Sequence, residues 1–74
     1  MDIKEFIEKF ADEIDVEDAD ELSPSTEFRG LEEWSSLSQM LTIAFINENF
    51  GKKIVRADIE KCLTLQDLYN LTKA

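Results

Sequence analysis

The sequence predicts an all-α fold, a four-helix bundle with a long loop between helices one and two and a short third helix. Three observations point there. Apolar residues recur at steps of three and four, cap-forming residues stand before those runs, and no stretch reads as a strand pair. At 74 residues the chain is expected to hold one domain, residues 1–74, near the size at which a single core is only marginally sufficient without metals or disulfides.

Helix one is carried by Ile3, Phe6, Ile7, Phe10, Ala11 and Ile14, whose spacing places them on one stripe. Asp2 is its expected N-cap, with Glu5 three residues on as capping-box partner. From Asp15 to Trp34 the helical period is lost, and Pro24, Gly30 and several Ser, Thr and Asp residues mark one long loop. A loop of that length is uncommon in a compact domain unless its own side chains hold it to the core. Leu22, Phe28, Leu31 and Trp34 are the residues available to do so.

Helix two is expected over residues 36–50, with Ser35 or Ser36 as its cap and Gly51 as a left-handed terminator. Ile54 and Val55 lead into a short segment around residues 57–61, too brief to be helical without packing. Thr64, followed by Leu65, Gln66 and Asp67, reads as the capping-box start of helix four, whose apolar side is Leu65, Leu68 and Tyr69.

Helix two is apolar around most of its circumference, with Leu37, Met40, Leu41, Ile43, Ala44, Phe45, Ile46 and Phe50, so it must bury more than one face. Ile43, Ile46 and Phe50 group together, while Leu37, Met40, Leu41 and Ala44 point elsewhere by helical rotation. The second group either docks a partner or ligand or is covered by the rest of the bundle.

Eight basic against seventeen acidic residues give a net charge of −9, which argues against nucleic acid and for partners with basic patches. No apolar run approaches the roughly 18 residues that span a bilayer. The start Met1-Asp2-Ile3-Lys4-Glu5 is unlike that of a secretory signal. A cytoplasmic monomer without a membrane span is therefore expected. Cys62, the sole cysteine, stands beside Leu63 and reads as a small buried side chain. The acidic run Asp15, Glu17, Asp18, Asp20 and Glu21 lacks the central Gly and terminal Glu of an EF-hand loop and reads as solvated, so no metal site is expected.

At Trp34-Ser35-Ser36-Leu37, the free N–H groups and positive dipole end of a helix start would stabilise a phosphate carried by a serine, although serine is also a common cap there. Ser35-Ser36-Leu37 resembles the Asp-Ser-Leu motif that opens the second of four helices in the acyl carrier protein family. The resemblance covers nearly the whole chain. Phe28 matches before the motif, and Phe50-Gly51, Ile54, Glu60-Lys61 and Thr64-Leu65-Gln66 match after it, with no gap downstream of Phe28. Trp34 is similar to a subset of these carriers.

The resemblance implies an acyl-carrier-like bundle in which Ser36 is the attachment site of 4′-phosphopantetheine, with Ser35 as the alternative position. A transferase would direct the Ser36 hydroxyl at the pantetheine-bearing phosphorus of coenzyme A, with adenosine 3′,5′-bisphosphate as the leaving group, and the arm's thiol would hold an acyl or aminoacyl group as a thioester. The chain has no His, and so no Ser-His or Cys-His pair to activate that hydroxyl. It is expected to be a non-catalytic substrate of a phosphopantetheinyl transferase, serving acyl- or aminoacyl-handling enzymes of fatty-acid, polyketide or specialised-product synthesis.

Two departures from the family pattern bear on this. Ser35 stands where the family has Asp, which keeps a capping oxygen but loses a negative charge and part of what the transferases recognise. Glu48 is the only carboxylate in helix two, where many members carry several. Docking is then expected through Leu37, Met40, Leu41 and Ala44, with Glu48, on dedicated partners rather than general fatty-acid enzymes. The alternative is an unmodified carrier-like module that binds proteins through helix two.

Overall fold

The computed structural model describes residues 1–73. Four helices follow one another, α1 (Ile3–Glu13), α2 (Ser36–Phe50), α3 (Arg56–Glu60) and α4 (Leu65–Leu71). Among the described residues there is no strand, and an isolated bridge joins Glu27 to Thr64. The all-α architecture, the long α1–α2 connection and the short third helix are those the sequence predicts. The third helix begins slightly earlier than expected, at Arg56.

Local capping sets the helix ends. Asp2 Oδ1 accepts from the Glu5 N–H at 2.8 Å, the first half of the predicted box. Past the end of α1, Asp15 takes a φ of 54°, a left-handed conformation that Asp tolerates better than most residues. At α4 the predicted box is complete: Thr64 Oγ1 accepts from the Asp67 N–H at 3.3 Å, and Asp67 Oδ2 accepts from the Thr64 N–H at 3.0 Å. The backbone N–H groups of Thr64 and Leu63 bind the ionised carboxyl of Asp67 and hold it below the usual carboxylate range. Val55, before α3, has no side-chain oxygen, so only Asp58 contributes there, accepting from the Val55 N–H at 2.9 Å. Tertiary contact completes that short helix, because Arg29 Nη2 donates to the Ile59 carbonyl at 2.8 Å.

The long connection is pinned much as its apolar residues suggest. It contains two 3₁₀ turns, Ala19–Glu21 and Phe28–Gly30. Phe28 is fully buried, and Leu22, Leu31, Trp34 and also Val16 pack against the core. The Phe28 and Trp34 rings meet edge-on at 4.8 Å. Two backbone bonds tie the loop to the start of α4, Leu65 N–H to the Thr26 carbonyl at 3.0 Å and Gln66 N–H to the Pro24 carbonyl at 2.9 Å.

Phe6 is the aromatic hub of the core, its ring centre 5.7 Å from Phe45, 6.0 Å from Phe50 and 5.4 Å from Tyr69. Tyr69 keeps its hydroxyl satisfied by donating to the Met1 carbonyl at 2.7 Å. Cys62 is buried as expected, and its Sγ donates to the Asp58 carbonyl at 3.4 Å. Burial first, then the nearby Asp67 charge, pushes the Cys62 thiol above its ordinary value; Arg29 pulls the other way and Asp58 adds the smallest push upward.

Candidate functional site

The start of α2 gives its two serines different tasks. Ser35 is the cap, with an extended backbone (φ −152°) and an Oγ that accepts from the Ser38 N–H at 3.2 Å. The Ser35 carbonyl accepts from the Gln39 N–H at 3.0 Å. Ser36 is the first helical residue and lies exposed, and among the described residues its hydroxyl has no hydrogen-bond partner. With the Ser38 and Gln39 N–H groups taken, those of Ser36 and Leu37 remain open at the positive end of the helix among the described residues. The sequence left the cap open between the two serines, and backbone geometry assigns it to Ser35.

Inside the helix, the group Ile43, Ile46 and Phe50 packs on the core, with Ile46 buried and the other two half-buried against it. The buried stripe itself is wider than that group and runs through Ser38, Thr42, Phe45 and Ile46, at steps of four, three and one. The hydroxyls concealed this stripe from a hydropathy reading. Each is satisfied internally, Ser38 Oγ donating to the Glu33 carbonyl and Thr42 Oγ1 to the Ser38 carbonyl at 2.9 Å.

The expected docking residues fall on one outward stripe. Leu37 and Met40 are 64% and 67% exposed, and Ala44 and Glu48 are exposed beside them. Leu41 differs, being half-buried and packed on the core, so it offers less surface than the others.

Two residues the sequence did not single out shape the site. Asn47 Oδ1 accepts from the Ile54 N–H at 2.9 Å and fixes the turn from α2 to α3. That turn brings Arg56, the first residue of α3, to a hollow of about 150 Å³ that it lines with Ser36, Gln39 and Met40. Among the described residues no cluster of His, Cys, Asp and Glu is arranged to hold a metal.

A family model described as a phosphopantetheine attachment site matches residues 4–72. The chain belongs to this phosphopantetheine-attachment family. No curated protein and no solved structure matches it. Members of the family are carrier domains with covalently attached 4′-phosphopantetheine, generally non-catalytic, and they interact with transferases and acyl-handling enzymes. The residues present here fit that group. An esterified phosphate needs an accessible hydroxyl and compensation of its charge, and Ser36 supplies the first while open N–H groups and the guanidinium of Arg56 stand at hand for the second.

Proposed function

We propose that Ser36 carries the phosphopantetheine arm and that the protein presents an acyl or aminoacyl group to the enzymes of a biosynthetic pathway. The observation that carries this is the contrast between the adjacent serines, one held by capping bonds and the other exposed and, among the described residues, without a side-chain partner. Modifying Ser35 would remove the cap from the helix that presents the arm. Modifying the Ser36 hydroxyl breaks no hydrogen bond among the described residues.

Each residue of the site then has a physical role. Ser36 offers its oxygen to the pantetheine-bearing phosphorus of coenzyme A, whose pyrophosphate P–O bond breaks to release adenosine 3′,5′-bisphosphate. The chain has no histidine to take the hydroxyl proton, so the accepting base belongs to the transferase. Ser35 holds the helix start rigid. When attached, the arm supplies a terminal thiol that holds cargo as a thioester. Leu37 and Met40, with Ala44 and Glu48 beside them, form the surface on which transferase and acyl-handling enzymes dock. With one carboxylate in α2, steering by local charge is weak and apolar contact carries the affinity.

The test is incubation with coenzyme A and a broad-specificity transferase, followed by fragmentation of the peptide that contains both serines. The arm is expected on Ser36 alone, and acyl-coenzyme A in place of coenzyme A should give a hydroxylamine-labile adduct. An arm on Ser35, or none, refutes the assignment. The exposure of Leu37 and Met40 also favours a second reading, an interaction module that needs no arm. Partner capture by unloaded protein, lost in Met40→Glu and kept in Ser36→Ala, would select that reading instead.

A further inference from the structure

Beside Ser36 this acidic chain sets a cation. The hollow formed by Ser36, Gln39 and Met40 of α2 is closed by Arg56 from α3, and the first turn of α2 contains no carboxylate. Arg56 is committed only loosely elsewhere. Its Nε lies 3.2 Å from Glu60 Oε1, with the two side chains 78% and 56% exposed. Water and salt screen such a pair heavily, so exchanging its partner costs little. A guanidinium has five N–H donors in a planar fork that matches two phosphate oxygens at once, and the bond to Glu60 engages one of them.

Resting on Ser36 as the attachment site, we propose that Arg56 is a positioning residue for the arm, turning from Glu60 to the phosphodiester once the arm is attached. Met40 then gives the hollow an apolar wall for the first carbons of the arm, and Gln39 offers an amide for its first polar groups. The arm is thereby laid along the junction of α2 and α3 instead of swinging freely from the helix start. Glu60 is the built-in competitor for the same cation.

The experiment compares unloaded and loaded full chain by nitrogen-15 resonances of the Arg56 side chain and by the phosphorus-31 resonance of the arm, with intact mass confirming one arm per chain. Loading is expected to move the Arg56 Nε–Hε signal downfield. In loaded Arg56→Gln the phosphorus resonance should shift toward that of free phosphopantetheine, while Arg56→Lys should retain part of the difference and Glu60→Gln should enlarge it. All these shifts should fade as salt approaches about 1 M, where the screening length falls to roughly 3 Å. Because the Arg56 side chain is mostly exposed, its replacement leaves the fold intact for the comparison. An arm on Ser36 with the Arg56 signal unmoved, and the same phosphorus resonance in parent and Arg56→Gln, overturns the inference and leaves the carrier reading standing. Absence of any arm on Ser36 overturns both.

Discussion

Facing the core, α2 buries two hydroxyl residues, Ser38 and Thr42, whereas facing solvent it leaves Leu37 and Met40 64% and 67% exposed. The inward hydroxyls are explained by folding alone. Each donates to a backbone carbonyl, and no buried side-chain polar atom among the described residues lacks a partner. The outward apolar residues have no such explanation, since a Leu or Met that stays exposed forgoes roughly 1.5–3 kcal/mol of burial. One face of the helix therefore serves the fold, and the other is available to partners.

Substitutions on the inward face should be the most damaging. Ile46 is fully buried, and Ile46→Ala is expected to cost about 2–5 kcal/mol in urea unfolding. In a domain this small that approaches the whole stability. A loss under about 1 kcal/mol would break the contrast between the faces. Ser38→Ala comes next, at about 1–3 kcal/mol, because the Glu33 carbonyl loses its donor. Ser35→Ala should cost about 1 kcal/mol through the lost cap.

On the outward face the expected result is different in kind. Leu37→Glu or Met40→Glu should change unfolding free energy by no more than about 0.5 kcal/mol, yet should weaken pull-down of the loaded carrier by its acyl-handling enzyme. Equal damage to stability and capture would erase the distinction.

The smallest effect lies away from both faces, at the cap of α4. Asp67 titrates lower in the folded chain than its unfolded value of about 3.9, so its contribution is complete above that value. It is lost as pH falls through the lower folded value. Asp67→Asn should flatten that acid limb of a stability profile and leave the slope near neutral pH unchanged.

Much of the fold was legible because its signals are local. Asp2, Gly51 and the Thr64–Asp67 box are each read from a few neighbouring residues, and the structure uses all of them as terminators or caps. Phe28 and Trp34 revealed that the long loop must return to the core. The inward face of α2 was legible only in part, because Ser38 and Thr42 count as polar in any hydropathy pattern, while their bonds to carbonyls make them fit to be buried. The choice of Ser35 as cap depends on one extended backbone angle, which composition does not encode. Arg56 was invisible as a site residue because its approach to Ser36 arises from the packing of α3 on α2, twenty residues along the chain.

The central claim is that two adjacent serines divide the work, Ser35 holding the helix and Ser36 carrying the arm. Intact mass spectrometry of the parent, Ser35→Ala and Ser36→Ala after equal treatment with coenzyme A and transferase tests it directly. The parent and Ser35→Ala should each gain the mass of one phosphopantetheine, and Ser36→Ala should gain nothing. A full gain by Ser36→Ala, with none by Ser35→Ala, would contradict the account.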